Sequence, residues 1–433
     1  MIQVICLTKR AITVPPIDQF FPLFGAEATI NTIQTTRQAQ VVMPIPGTFR
    51  NLKLLLTTSE THPDTTITLN VNDVDTALTC TALAAETTAE DIANEVAVVE
   101  EDLVCFKFRT PGFASAMQFS ISYEWEGAEQ IFGPFAIAGS DDPGEQRASG
   151  AFSNAGWTTN PTPGVFCNTY SICAVTGNVT SLAAHSFTAV TGLGQWELQL
   201  IKNLIIQDGS GGTIDTTVLI SAGETYKKST FSLPVVPGDI IEIILTRLGT
   251  EAPFDIAQVT AMVTVNSTEF MLNGGNNALV SSTVDNYEWN AVTQAETDEN
   301  LVLVPIARGF TTVGLFVRKS QDPGTVGSGY HHILMKNGVQ QAIDAEVLAG
   351  GLTGLDLAAI AYNEGDTLSL LSSPFNGPNG SQLHWGLSAV MGASPPPDEI
   401  APLSGIYKLV PGKTDDTVYL QISPELTEDR KIP

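Results

Sequence analysis

The chain has 433 residues, with 20 Lys and Arg against 46 Asp and Glu, for a formal net charge of −26. That balance excludes a nucleic-acid partner, which needs clustered basic residues to displace counterions, and it disfavours an anionic membrane surface. No apolar run of about 18 residues offers a helical membrane span, so no insertion is expected.

With 43% apolar and 15% charged residues, and Thr, Val, Gly, Ser and Asn abundant, the composition is that of β-sheet joined by tight turns. Residues 1–25 read as an N-terminal arm. Lys9 and Arg10 follow a short apolar stretch, the reverse of a secretory signal, so export by that route is not expected. Further along the arm, Phe20, Phe21, Leu23 and Phe24 must pack on something. Two readings stay open, a strand covering its own first domain or an anchor to a partner subunit, and the four residues are assembly candidates.

Three stretches then repeat. Leu69-Asn70-Val71-Asn72-Asp73, Leu200-Ile201-Lys202-Asn203-Leu204 and Leu334-Met335-Lys336-Asn337-Gly338 each run from a strand into an Asn turn. A Gly-plus-aromatic step precedes each, at Gly47-Thr48-Phe49, Gly164-Val165-Phe166 and Gly309-Phe310. An Asp-plus-strand step follows each, at Asp102-Leu103, Asp239-Ile240 and Asp366-Thr367. The Asn-to-Asp separations are 30, 36 and 29 residues and the Gly-to-Asn separations 25, 39 and 28, so the middle copy is longer. Residues 209–212, a Gly-rich run, fall within its excess. A unit of roughly 130 residues is a whole domain rather than a solenoid repeat. The domains are therefore assigned as 26–126, 127–267 and 268–393.

Within each unit, short β-branched runs and turns every 8–12 residues, roughly, predict an antiparallel β-sandwich of about eight strands, with jelly-roll topology as the usual means of protecting its edges. Phe119, Ile121 and Tyr123, alternating with Ser120, Ser122 and Glu124, show the pattern of a half-buried strand. Thr88-Ala89-Glu90-Asp91 resembles a helix capping box. Asp356-Leu357-Ala358 stands at the same place in the third copy, which limits any helix there to one turn. The repeated Asn is expected in a left-handed turn conformation, and the repeated Asp is expected to accept backbone N–H groups where a strand begins.

Residues 394–433 open on Pro395-Pro396-Pro397, a stiff linker, and continue into two strand-like runs with too little chain for a core. Tyr407, Leu409, Tyr419 and Leu420 are their assembly candidates, because such a tail must pair with a sheet edge of its own chain or of a neighbour. Deletion of residues 1–24 or 395–433 is expected to leave three folded domains with impaired assembly.

Signals for chemistry are poor. The five Cys lack zinc spacing and read as buried thiols. His331 and His332 are adjacent in a strand, so they point to opposite faces and share no metal. Ser210, between Gly209 and Gly211, lacks His and Asp partners at matching positions. Asp141, Asp142, Glu145, Asp415 and Asp416 follow no EF-hand pattern. No nucleotide fingerprint is present, so no cofactor and no enzymatic activity are expected. Trp157, Tyr330 and Trp385 are candidates for a ligand-binding surface, against the alternative that each packs in a core.

The repeated strand, Asn turn, Thr-rich connection, Gly-Asp step and closing alternating strand resemble the jelly-roll domains of phage decoration and tail-associated proteins and of trimeric spore-surface glycoproteins. The C-terminal Ser404-Gly405-Ile406-Tyr407-Lys408-Leu409-Val410, followed by Thr417-Val418-Tyr419, is similar to tails of phage structural proteins. The resemblance implies a virion structural protein, made in the host cytoplasm, that assembles with other virion proteins and as a homo-oligomer. A glycan- or receptor-binding adhesin, recognising host surface glycans, is the alternative.

Overall fold

The computed structural model describes residues 1–13, 18–24, 39–57, 62–110, 116–133, 146–150, 158–159, 171–186, 194–248, 259–280, 285–287, 298–392, 408–411, 418–421 and 430–431. About two thirds of them lie in strands, which pair antiparallel. The first sandwich contains β1 (Ile2–Thr13), β2 (Gln19–Phe21), β3 (Val41–Val42), β4 (Gly47–Thr57), β5 (Thr65–Val71), β6 (Val74–Ala82), β7 (Thr88–Val98), β8 (Leu103–Arg109) and β9 (Ala116–Gly127). The second contains β10 (Gln130–Phe132), β11 (Gln146–Gly150), β12 (Thr158–Thr159), β13 (Ser171–Ile172), β14 (Gly177–Ser186), β15 (Gln195–Lys202), β16 (Ile205–Ile206), β17 (Val218–Ile220), β18 (Tyr226–Val235), β19 (Ile240–Leu248) and β20 (Val259–Ser267). The third contains β21 (Phe270–Val280), β22 (Asp285–Tyr287), β23 (Val304–Pro305), β24 (Phe310–Lys319), β25 (Gly329–Lys336), β26 (Val339–Asp344), β27 (Val347–Leu348), β28 (Thr353–Asp356), β29 (Ala361–Tyr362), β30 (Thr367–Phe375) and β31 (Ser381–Met391).

One topology recurs three times. The first sandwich pairs a sheet ordered β1-β9-β4-β7 with one ordered β2-β8-β5-β6. The second repeats this as β10-β20-β14-β18 facing β11-β19-β15-β16, and the third as β21-β31-β24-β28 facing β22-β30-β25-β26. Counting only these eight strands, each sandwich places the first, eighth, third and sixth in one sheet and the second, seventh, fourth and fifth in the other. That is the jelly-roll arrangement. The inward faces carry the apolar residues, as alternation in a two-layer sandwich requires: Phe49, Leu54, Phe106, Phe119 and Tyr123 are all buried in the first.

The repeated polar residues close the same joint in every sandwich. Asn72, Asn203 and Asn337 have φ of 51°, 50° and 52°, the left-handed conformation that Asn tolerates at a hairpin tip. Their amides donate to Asp102, Asp239 and Asp366 over 2.7, 2.6 and 2.7 Å. Their carbonyl oxygens accept the N–H of Leu103, Ile240 and Thr367 over 2.9, 2.9 and 2.7 Å. The second carboxylate oxygen of each Asp caps its own turn, accepting from Val99, Val236 and Asn363 over 2.8, 2.9 and 2.6 Å. Lys202 and Lys336 add ion pairs to Asp239 and Asp366, each at 2.9 Å. For Asp366, burial opposes ionisation, but Lys336 and the donated hydrogen bonds hold its pKa below the usual value.

One open question is answered and two expectations are corrected. Of the two readings of the N-terminal arm, a strand covering its own first domain is the one seen: β1 lies along β9 from Ile2↔Glu126 to Thr13↔Ala116, β2 pairs with β8, and Val4, Ile5, Phe21, Leu23 and Phe24 are buried. Too much apolar surface enters the core for these strands to be dispensable. The middle Gly step is Gly177 rather than Gly164, because β14 begins at Gly177 and holds the place of β4 and β24 in the sheet order. The Gly-to-Asn separation is then 26 residues, close to the other copies. The segment from Thr88 is strand β7 and not a helical turn. Asp91 bridges strands instead, accepting from Thr79 over 2.9 Å and from Ala93 over 3.2 Å, and Asp356 does the same for Asp344 and Ala358 over 2.7 and 2.9 Å.

The chain divides into two compact units, Met1–Met391 and Gly392–Pro433. The second contains one antiparallel sheet, β32 (Lys408–Pro411), β33 (Val418–Gln421) and β34 (Arg430–Lys431), in that order.

Candidate functional site at the three junctions

Within Met1–Met391 each sandwich grips the next, and the third grips the first. Short strand β3 packs on β14 and β20 of the second sandwich, β13 on β21, β24 and β31 of the third, and β23 on β1, β4 and β9 of the first. The hydrophobic cores follow the same cycle. Ile131 and Met262 join the first core, Met271 joins the second, and Val4 and Cys6 join the third. Gln3 brackets Ile131, donating to its carbonyl over 3.1 Å and accepting its N–H over 3.0 Å. Gln130 accepts the N–H of Met271 over 2.9 Å and donates to the Glu269 carbonyl over 2.7 Å. Phe270 stands where a third glutamine would fall and shares a buried cluster with Val4 and Cys6. The three sandwiches therefore form a ring with pseudo-three-fold symmetry, the cyclic arrangement of a homotrimer within one chain.

The turn capped by each repeated Asp also reaches the next sandwich. Glu100 meets Lys228 at 3.0 Å and accepts the Tyr226 hydroxyl over 2.9 Å; burial and then this carboxylate push the Tyr226 pKa up. Glu364, at the matching position, meets Lys53 at 2.9 Å. Burial works against the Lys53 charge, yet the hydrogen bonds it donates to Glu90 and Glu364 outweigh it and raise the lysine's pKa. At the remaining junction the corresponding residue is Pro237, which has no charge. There a cleft of about 240 Å³ opens between the second and third sandwiches, lined by Ile172, Pro237, Phe316, Val317, Arg318 and Leu355. No motif in the sequence marks this place; the register does, since Phe316 pairs with Gly386 and Leu355 as Lys53 pairs with Ser122 and Glu90, so the charged set of the Glu364 junction gives way here to apolar residues. A third cross-junction set surrounds Glu124, fully buried on β9, which Arg50 and Arg308 approach at 3.1 and 3.3 Å.

The sequence-predicted site residues are scattered. Tyr330 and Trp385 are buried, not loop aromatics, so neither offers a ring to a ligand. Both sit on inward-facing strand positions, where a large ring fills the space between the sheets. Trp385 lies 5.2 Å from the Tyr287 ring, and Tyr330 donates its hydroxyl to the Asn379 carbonyl over 2.7 Å. Of the proposed assembly residues, Phe21, Leu23 and Phe24 belong to the first core, and Phe20 packs beside Ala39 and Cys105. Leu409, Tyr419 and Leu420 lie on β32 and β33. Trp157, Tyr407, Asp141, Asp142, Glu145, Asp415 and Asp416 fall outside the described residues. His331 pairs with Asp344 at 2.8 Å while His332 is buried on the opposite face. Cys6, Cys80, Cys105 and Cys173 are buried free thiols. Among the described residues no group of three or more His, Cys, Asp or Glu is arranged to hold a metal ion.

The third sandwich buries an unusual cation. Lys319 has no exposed surface, its Nζ has no hydrogen-bond partner among the described residues, and it sits 3.4 Å from the Tyr330 ring centroid. Burial depresses its pKa well below the ordinary value, against the opposing pull of Asp285. At neutral pH the unfolded chain therefore binds more protons at this site than the folded chain, so stability rises with pH towards the unfolded lysine value of about 10.4. Lys319→Met is expected to stabilise the protein by about 1–3 kcal/mol at pH 7. The gain should shrink towards pH 10; urea unfolding at both pH values measures it.

Comparison with protein-family models found no match to the chain, and comparison with curated proteins found none either.

Proposed function

We propose that this is a non-enzymatic structural protein of a virion, a capsid-decoration or tail component, whose ring of jelly rolls meets a partner assembly of three-fold symmetry. The observation carrying this reading is the cyclic closure of three like sandwiches in one chain. A body of that kind presents three similar surfaces related by rotation and so matches a place where three identical subunits meet. Val74, Ile205 and Val339, each two residues after the repeated Asn, are 64%, 58% and 62% exposed. Their rotational equivalence puts them in one plane around the axis, as three attachment points would be. In this reading the separate sheet of Gly392–Pro433 is the attachment tail, and its strands add to those of a neighbour.

Light scattering on the full chain and on residues 1–391 tests the proposal. The expected result is a folded monomer for 1–391, whose trimer-like interfaces are satisfied internally, and a defined multimer for the full chain. Self-assembly by 1–391 would remove the tail from this role. A monomer in both cases, together with selective binding on a glycan array, would replace the structural reading with an adhesin.

A further inference from the structure

Three matched core positions turn from apolar to polar between the first sandwich and the third. On neighbouring strands of one sheet Ile67 pairs with Phe108, Leu198 with Leu245 and His332 with Ser372. In the facing sheet Leu56 pairs with Phe119, Ser186 with Val259 and Lys319 with Leu383. The third sandwich thus carries His332, Ser372 and Lys319 where the first carries Ile67, Phe108 and Leu56, and all six are buried. The Lys319 Nζ, both ring nitrogens of His332 and the Ser372 Oγ have no hydrogen-bond partner among the described residues. Tyr330 neighbours both bases: the Lys319 Nζ stands 3.4 Å from its ring centroid, and the His332 ring lies nearly parallel to it at 6.0 Å. Asp285, paired with Ser372 on β22, favours the Lys319 charge, but burial outweighs it. Lys319 and His331 oppose a charge on His332, and His331 itself pairs with Asp344 on the outer face. Tyr287 is a further ionisable group in this core, while β31 presents Leu383 and Trp385 and the chain beside β25 presents Ala345 and Val347.

We propose that acid opens the third sandwich before the other two and releases its grip on the first. Both buried bases must take up a proton as pH falls, and a packed core that offers the proton no acceptor resists it. Burial holds His332 well below the ordinary histidine value of about 6.5, so the opened chain protonates first and the folded form loses ground as pH drops through that value. Lys319 acts with the same sign over the whole range, because its ordinary value is about 10.4 and burial depresses it. Below about pH 6.5 two protons favour opening together, each by about tenfold in the opening equilibrium per pH unit. The other sandwiches lack such a pair. In the first, His62 has a carbonyl oxygen at each ring nitrogen, that of Pro63 at 2.8 Å and that of Glu86 at 2.6 Å, so a charged ring keeps two acceptors. In the second, burial pushes His185 down to about 4 and Glu242 up to about 7, so acid costs the one and relieves the other. Carboxylates held below their usual value, such as Asp366, keep their stabilising effect down to about pH 4. The grip at stake is β23 on the first sandwich, with Glu364 on Lys53 and Arg308 on Glu124. The inference rests on the matched core positions and is independent of the virion reading.

Thiol exposure in the full-length protein tests it. Cys6 is buried in the third core, whereas Cys80 and Cys105 lie in the first sandwich and Cys173 in the second. The probe is 4,4′-dithiodipyridine, which reacts with thiols in mild acid, applied from about pH 7 to about pH 5, with the labelled peptides located by mass spectrometry. Labelling of Cys6, relative to a free thiol at the same pH, is expected to rise at least about tenfold per pH unit below about pH 6.5. Over that range Cys80, Cys105 and Cys173 should stay protected. The double variant Lys319→Met with His332→Ile, which returns both positions to apolar side chains, should remove the rise. If it fails to fold, the order of thiol exposure in the unaltered chain still decides the matter. Protection of Cys6 across the whole range, exposure of all four thiols together, or an equal rise in a folded double variant would overturn the proposal.

Discussion

Deletion of residues 1–24 is expected to abolish cooperative folding of the first sandwich and to weaken the whole ring. The segment provides β1 to one sheet and β2 to the other, and it buries Val4, Ile5, Cys6, Phe21, Leu23 and Phe24. At roughly 1.5–3 kcal/mol for each large buried apolar side chain, the loss is on the order of 10 kcal/mol, comparable to the entire stability of an ordinary domain. The effect should also spread. Val4 and Cys6 belong to the core of the third sandwich, and Gln3 holds the first strand of the second. Urea unfolding followed by circular dichroism measures the change. An unaltered midpoint and slope in the truncated chain would mean that the strand pairing of β1 contributes little and that an independent arm is the better description.

Trp385→Ala is expected to cost about 3–5 kcal/mol of stability, the range for removing a large aromatic side chain from a packed core. Trp385 is fully buried, and Gly274 on the neighbouring strand leaves the space its ring occupies: a Cβ on Gly274 would come within 2.4 Å of it. A larger residue at 274 is expected to be nearly as damaging, because the ring cannot retreat from a sheet that faces Tyr287. Thermal or urea unfolding of both variants tests this. A Trp385→Ala protein with wild-type stability and lost ligand binding would return the residue to the role of a recognition aromatic.

Composition and short-range pattern were enough to specify the class of fold. Turn residues and alternating apolar positions act locally, so they can be read along the chain: the left-handed Asn of each hairpin and the Asp that caps the next turn are bonded as their residue types suggest. The alternation of Phe119, Ile121 and Tyr123 likewise matches three side chains buried on one face. Reading failed where distance along the chain decides. Pro163-Gly164-Val165-Phe166 has the composition of the repeated step, but the strand in the matching place begins at Gly177, a fact fixed by pairing with β18 and β20. The aromatic cluster at 20–24 looks the same in sequence whether it covers its own core or another chain's, and only the register of β2 on β8 separates the two.

By itself the sequence determined an acidic, all-β chain with three like units, because charge, propensity and turn geometry are properties of residues and their near neighbours. The tertiary structure alone decided that these units close into a ring, that residues 1–24 belong to its body, and that one of three matched junctions is apolar where another is charged and opens a cleft. Those features depend on contacts between residues more than a hundred positions apart, such as Glu100 with Lys228 and Glu364 with Lys53. Each arises from the packing of whole sheets, which no local pattern encodes.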